Sequence, residues 1–533
     1  MPPRLPALPQ SVSMRAVLLT WLAFLAFGFY FALVTPLGEG FDEPWHFGYV
    51  QYVAQTGHIP LGRSTRLSEE LVTFLEKHPV SWWLNGAFPS LLAHEEYWAQ
   101  ERPVEDAILK NLRFSGKYHE SSVEVAEQYE RHQPPLYYVF AARVFVLASR
   151  FLPLVDTFLA LRLFSVLLAS TMVPAAFTLA RIVLKDPAWT NGVGALVVLF
   201  PGLYPGVVRV ANDALAVPLA CWTFVMLSLF VEHRKLTYLY GLCALLAAGL
   251  WTKAFFLPIL AAVLLVLTLF AHARAVVVAA GAALAGAPWY VYNLVHSGAF
   301  TGLPETVSSQ SSIASSFGAL RHLDWVNLIN VAATSHIWIG NWSLLAIRSW
   351  MHKLILIVFL LGVLGILAHP RKAMNRTAIV LSIVYAVFVF GLVYYATQVF
   401  QYGGISVSQG WYLTSVIPIE AILFAVGVRF WVGNSRTCAL AILPGFLLAL
   451  LLYTSIFVAM PYYSGITAHK PDGHLATYYF KASDLALMPE RLLRFHDWIP
   501  RATPWVLLSL GAGFGFWSIG SLVFRRPSIH VCN

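Results

Sequence analysis

Continuous apolar runs, broken by short polar stretches, set the rhythm of this chain. Runs of spanning length lie at about Ala16–Leu37 and Phe158–Ala180, then at 190–208, 213–231, 236–252, 254–271, 275–295, 350–368, 377–398, 411–430, 438–460 and 503–523. Crossing a hydrocarbon layer takes roughly 20 apolar residues of helix. The pattern therefore predicts an all-α polytopic membrane protein of about 12 spans, within a range of about 11 to 13. A β-barrel would alternate apolar and polar residues, and these runs do not. The first run is longer than the apolar core of a signal peptide, and no small-residue cleavage pattern follows it. It reads as a retained first span.

One polar stretch interrupts the rhythm. From Gly38 to about Gln133 the chain carries 15 of its 26 acidic residues but 8 of its 35 basic ones. Within it, Leu71, Phe74 and Leu75 fall at helical spacing in Ser68–Lys77. Pro103 opens PVEDAILKNLRF, with acids early and Lys110 and Arg113 late, as a helix dipole favours. Ile108, Leu109 and Leu112 make its apolar edge. Both read as short amphipathic helices on a membrane surface, with a loop packed on itself as the alternative.

The run Arg131–Leu152 is apolar enough to span, but counting it inverts every later loop. Left at the surface or re-entrant, it puts Arg181, Lys185, Arg234, Lys235, Arg274, Arg371, Lys372, Arg376, Arg436, Arg525 and Arg526 on the side of the N-terminus. Cytoplasmic loops carry that excess. Both termini are then expected in the cytoplasm and the acidic section outside. The organisation read from this is a single membrane domain over 1–533. Its large first external loop, 38–157, contains juxtamembrane helices, and 296–349 and 462–501 are further external loops. No internal repeat is visible.

Composition agrees. Of 533 residues, 58% are hydrophobic and 11% charged, with a mean hydropathy of +0.67; soluble domains carry about 25% charge. The net charge of +9 is scattered through short loops, which is an orientation signal and not a nucleic-acid footprint. The four cysteines are isolated and form no disulfide or metal spacing.

With this topology the unusual polar residues gather at one depth on the external face. Asp42, Glu43 and His46 close span one. Arg131, His132 and Gln133 precede Pro134–Pro135, and Arg162 opens span two. Arg209, Asn212 and Asp213 lie between spans three and four, and Lys253 between spans five and six. Trp289 and Asn293 end span seven; Gln409 and Tyr412 open span ten. Charge at a membrane boundary is costly unless it has a task or a partner. A carboxylate there suits general-base work, because partial desolvation raises its basicity. Cations beside it suit a departing phosphate.

Plainer readings stand beside these. Asp42 before Pro44 and Asn212–Asp213 fit helix caps, and Arg162 and Lys253 fit snorkelling side chains. The Trp and Tyr residues fit an interfacial belt. His336 in HIWIGNW fits an ordinary polar residue, and GAGFGF near Gly511 fits helix packing. The convergence of acids, a His and cations favours group transfer to a hydroxyl from a lipid-borne phosphate that enters sideways from the bilayer.

Several stretches occur in a telling order: FDEPWHFGYVQYVAQTGHIP (41–60), HQPPLYY (132–138), LRLFS (161–165), RVANDALA (209–216), WTKAFFLP (251–258) and PWYVYN (288–293). Together they resemble the GT-C integral-membrane glycosyltransferases, which use polyprenyl-phosphate-linked sugars. The likeness is to the bacterial branch near the protein O-mannosyltransferases and the lipid A aminoarabinose transferase. SVSQGWYLTSVIP (406–418) resembles an uncharacterised membrane family of the same group, DUF2142. Where that family shows Gln-Gly-Arg-Tyr, this chain has Gln409-Gly410-Trp411-Tyr412.

The resemblance implies a GT-C-type bundle in a bacterial inner or plasma membrane. It implies Asp42 as the catalytic base with Glu43 beside it. His46, Arg131, His132, Arg162, Arg209, Asn212, Asp213, Lys253, Gln409 and Tyr412 would form the substrate site, with Arg209 and Lys253 on the lipid phosphate. Glu43, His46 and Asp213 are candidates for a divalent metal (Mg, Mn or Zn), which some members need. The activity implied is inverting transfer of a sugar from a polyprenyl-phosphate donor to a hydroxyl acceptor at the external face. That acceptor would be a glycolipid, a wall polymer or a protein; no nucleic acid is expected. The rival readings are a lipid or solute transporter or flippase, which would place polar groups near mid-membrane, and a non-catalytic scaffold of the same fold.

Overall fold

The computed structural model describes residues 14–61, 65–85, 91–123, 126–309, 313–368, 374–433 and 437–523; Arg371, Lys372, Arg436, Arg525 and Arg526 lie outside them. Helix occupies each apolar run read from the sequence. Among the described residues, nine helical segments are long and apolar enough to cross a membrane: Met14–Val34, Leu154–Leu184, Asp213–His233, Ala273–Ser297, Ser349–Ala368, Arg376–Gly403, Gly410–Val432, Cys438–Tyr463 and Thr503–Val523. Three expected spans differ. Leu236–Leu250 and Phe256–Phe270 hold 15 residues each. The run 190–208 is split into Pro187–Val198 and Leu203–Val207, because Pro201 lacks an N–H and disfavours helix in the residue before it. The segment Leu136–Ser149 is a 14-residue helix, about 21 Å long at 1.5 Å per residue, short of the hydrocarbon thickness.

Among the described residues two large hydrophobic cores follow, beside a small cluster of Leu323, Leu328 and Ala396. The larger lies between the long helices, where the first and last pack together. Thr20 Oγ1 and Ser518 Oγ are 3.2 Å apart, and Gly511 sits against the Phe27 ring. The glycine-rich run is thus a packing surface.

The second core belongs to the layer built from residues 37–158. Phe47 stacks on Phe158 at 4.2 Å, and Leu71, Phe74, Leu75 and Leu109 are fully buried with them. Ser68 caps the Glu69–Lys77 helix by accepting from Leu71 N at 3.1 Å. The two amphipathic helices therefore turn their apolar faces into protein and not onto lipid. The exceptions are Val104 and Ile108, on the Pro103–Asn111 helix, which are 67% and 39% exposed.

The two ends of the bundle carry different charged contacts. At one end Lys185 pairs with Glu232 at 3.2 Å, and Arg376 and Arg234 both donate to the Phe270 carbonyl. There Arg429 donates to the Leu184 carbonyl at 2.9 Å. Cations at helix C-termini complement the carbonyl ends. The candidate chemistry lies at the other end.

Candidate active site

Glu43 is the knot of this end. It is fully buried, and five N–H donors converge on its two oxygens. Arg162 Nε and the Val210 N–H reach Oε1 at 2.7 and 2.9 Å, while Arg162 Nη2 and the N–H groups of Gly38 and Gly40 reach Oε2 at 2.5, 3.2 and 3.2 Å. The remaining Arg162 donors go to the carbonyls of Ala32, Thr35 and Pro36, at 3.2, 2.5 and 2.7 Å, as the first long helix exits. Arg162 is 1% exposed. It does not snorkel, and as placed it has no donor left for a substrate phosphate. The resemblance implies Arg162 in the substrate site; here all its donors are engaged within the chain.

The turn wrapped round Glu43 presents Asp42. Its backbone is left-handed, with φ 57° and ψ 10°, and its side chain makes no capping bond to the Glu43–Thr56 helix. The plainer cap reading therefore fails. A left-handed residue costs about 1–2 kcal/mol, and Asp and Asn tolerate it best. Such strain persists where its surroundings over-determine it, commonly at functional sites. Asp42 is partly exposed, whereas Glu43 and His46 beside it are buried.

Three further segments converge here. Asp213 accepts from Arg209 Nη2 at 2.6 Å and from Lys253 Nζ at 2.7 Å, so two cations share one carboxylate. Arg209 lies over the Phe41 ring at 5.8 Å, and its Nε and Nη1 are buried without a hydrogen-bond partner. Burial lowers the Lys253 ammonium pKa, with Asp213 opposing the shift. Asn212 does not cap its helix with its side chain; Nδ2 donates to Gln133 Oε1 at 3.0 Å and to the Thr252 carbonyl at 2.9 Å. It ties together the three segments that bear Gln133, Asp213 and Lys253. Trp289 Nε1 and Asn293 Nδ2 donate to the His132 carbonyl at 2.9 and 3.2 Å, holding the Tyr129–His132 turn against the seventh predicted span.

Glu130, in that turn, is a site residue that the sequence reading missed. It is 3% exposed, its Oε2 has no hydrogen-bond partner, and burial, followed by the charge of Asp42, pushes its carboxyl well above the usual range. Its signal was its place directly before RHQPP. His46 Nε2 lies 3.9 Å from Glu130 Oε1, and His46 Nδ1 is 2.7 Å from the Tyr138 hydroxyl. Burial, then the cations Arg209 and Lys253, hold His46 well below its ordinary value. Both shifts disfavour the charged forms that an ion pair across this 3.9 Å approach would need. His132, bonded through Nδ1 to the Tyr129 carbonyl at 3.0 Å, is pushed down to about 4, chiefly by burial.

The other expected residues spread outward. Arg131 lies at the rim, 3.6 Å from Glu127. Tyr412 packs against Phe255 and Tyr395 at 5.9 and 5.8 Å, and Trp411 beside it stacks on Phe41 at 3.9 Å, which brings the late motif to Asp42. Gly410 allows this approach, since a Cβ there would fall 1.9 Å from the Ala332 carbonyl. His336 pairs with Glu420 at 2.8 Å, its plain structural reading. The metal candidates do not form a ligand set. Glu43 is enclosed by donors, Asp213 is held by two cations, and His46 is turned to Tyr138. Among the described residues no group of three or more His, Cys, Asp or Glu is placed to hold a metal ion.

No family model and no curated protein matches this sequence. Two solved structures are similar in outline. One is ArnT from Cupriavidus metallidurans bound to undecaprenyl phosphate, at 13% identity over 96% of this chain and 78% of that one, with a TM-score of 0.43. The other is the arabinosyltransferase EmbB from Mycobacterium smegmatis, at 11% identity over 98% of this chain and 42% of that one, with a TM-score of 0.41. Likenesses at this level assign no residue a role.

Proposed function

We propose that this protein is a membrane glycosyltransferase that moves a sugar from a polyprenyl-phosphate donor to a hydroxyl acceptor, with inversion. The observation that carries the reading is the strained, partly exposed Asp42 beside a buried Arg209 with two unspent donors. Asp42 takes the proton of the acceptor hydroxyl. The acceptor oxygen forms a bond to the sugar's anomeric carbon from the face opposite the phosphate. The bond from that carbon to the phosphate oxygen breaks, and its electron pair leaves with the lipid phosphate. Arg209 and Lys253 stabilise that charge in a site withdrawn from water, where fixed donors act strongly. Glu43 and Arg162 position this machinery. The site faces the exterior of a bacterial inner or plasma membrane, with both termini cytoplasmic, consistent with the cations gathered at the opposite end. A transporter would put such groups near mid-span; here they lie at segment ends.

The test is sugar release from a panel of polyprenyl-phosphate sugars, water serving as a slow acceptor. Asp42→Asn should keep the fold, since Asn also tolerates a left-handed backbone. It should lower turnover by about a hundredfold or more, the usual worth of a general base. EDTA should leave turnover unchanged, because no step here runs through a metal. Equal release by Asp42→Asn and the native protein would remove Asp42 from the mechanism.

A further inference from the structure

A wall of aromatic rings runs from Asp42 out to solvent. Phe41 stacks on Trp411 at 3.9 Å with planes 15° apart, and meets Trp342 edge-on at 5.2 Å. Trp342 stacks on Trp83 at 6.0 Å with planes within 4°, and Trp83 meets Trp82 edge-on at 5.6 Å. Phe41 is buried and Trp342 and Trp411 are partly exposed, while Trp82 and Trp83 are 42% and 51% exposed. An interfacial belt sets aromatic residues singly around a bundle's rim. These rings come from four separate segments and stack on one another in a line that ends at a proposed catalytic carboxylate.

The wall is anchored. The N–H groups of Trp342 and Ser343 donate to Glu39, at its carbonyl (3.1 Å) and its carboxylate (2.6 Å). Glu39 is itself fully buried and 3.0 Å from His94 Nε2. The turn that presents Trp342 holds Asn341 and Leu344 left-handed, at φ 50° and 48°. The wall also has unmet polar atoms. Trp342 Nε1, a donor, and Gln409 Oε1, an acceptor, are buried without a partner. Each such atom costs about 1–3 kcal/mol, and a ligand hydroxyl would satisfy either.

We infer that this wall binds the acceptor and that the acceptor is a glycan, an assignment that rests on the transferase reading of Asp42. A sugar ring offers polarised C–H groups on its face, which suit the negative face of an aromatic ring, and hydroxyls at its edge for Trp342 Nε1 and Gln409 Oε1. A polyprenyl tail has no hydroxyls and packs among apolar helices, not on rings of the outer segments. A peptide could lay a proline-rich segment on such rings, which the peptide arm of the test decides, or add to an open strand edge. The strand pair among the described residues, Pro79–Val80 with Leu92–Ala93, is largely buried.

The test is equilibrium binding without donor. Full-length protein in nanodiscs is titrated with neutral linear gluco-, manno- and N-acetylglucosamine oligosaccharides, and separately with a Ser/Thr-rich peptide, by tryptophan fluorescence. At least one oligosaccharide should bind saturably. Trp83→Ala, at an exposed position, should weaken that binding by about tenfold or more, as stacked Trp anchors do. Trp342→Phe, which keeps a ring but removes the donor, should weaken it several-fold. Trp498→Ala removes a ring that is 64% exposed elsewhere and should leave it unchanged. Binding of no oligosaccharide, equal binding by Trp83→Ala, or saturable binding of the peptide alone would each overturn the assignment. None of these results depends on turnover, so the Asp42 test stands or falls separately.

Discussion

The Glu43–Arg162 pair and the Asp213–Arg209–Lys253 triad are built from the same residue types and are nearly equally buried. They differ in what they leave open. Around Glu43 and Arg162, every donor and both carboxylate oxygens are engaged within the chain. In the triad two cations share one carboxylate, and Arg209 keeps two N–H groups without a partner. A buried charge pair that is fully hydrogen-bonded has no capacity left for a ligand. A pair left short of partners carries a standing cost that a ligand removes. Burial and charge alone do not distinguish these two clusters; hydrogen-bond satisfaction does.

The comparison breaks first at the closed pair. Arg162→Met leaves Glu43 buried without its cation and should destabilise the protein by about 3–5 kcal/mol, the usual cost of removing one partner of a buried pair. Thermal unfolding and expression should both report it. An Arg162→Met protein as stable as native, with only its donor KM raised, would move Arg162 into the substrate site.

The open triad should respond in the opposite way. Arg209→Met should fold, because Asp213 keeps Lys253. It should lose about a hundredfold to a thousandfold in turnover, typical for one lost transition-state donor. Single-turnover sugar release checks this. Normal turnover with a lowered unfolding midpoint would make Arg209 structural.

Acid sharpens the contrast with a smaller effect. His132, on the open side, has its native pKa pushed down to about 4, while an unfolded chain takes up that proton near 6.5. A depressed native value means that stability is full above about 6.5 and falls as pH drops toward about 4, by up to about 3 kcal/mol. Unfolding followed across that window should show the loss, and His132→Gln should make it shallower, with the buried His46 still contributing in the same direction. No difference between the His132→Gln and native profiles would mean that folded His132 takes up its proton near the ordinary value.

Much of the fold was legible because a bilayer imposes one simple rule. Apolar helix of spanning length is the main way to satisfy the backbone there, so the helical segments could be read from hydropathy. The break near Pro201 and the 15-residue helices were not resolved, because hydropathy averages over a window and misses local geometry. The convergence of the candidate residues was legible in part. Asp42, His46, Arg209, Asn212, Asp213, Lys253 and Tyr412 do converge, since charge near a membrane needs a reason to be there. Glu130 escaped notice because a lone acid in an acidic loop carries no pattern.

What the residues alone determined was a helical membrane protein with its chemistry collected at one end. The contacts made in three dimensions decided which charges are spent and which are free. They spent every Arg162 donor on Glu43 and on carbonyls of the neighbouring turn, and left Arg209 short of partners. They bent Asp42 into a left-handed turn and lined up aromatic rings outward from its neighbour Phe41, through Trp342 to Trp83, with Trp411 stacked on Phe41. Hydropathy depends on what a segment is made of, whereas the state of a buried donor depends on which distant atoms the fold brings within reach. Sequence spacing does not record those distances.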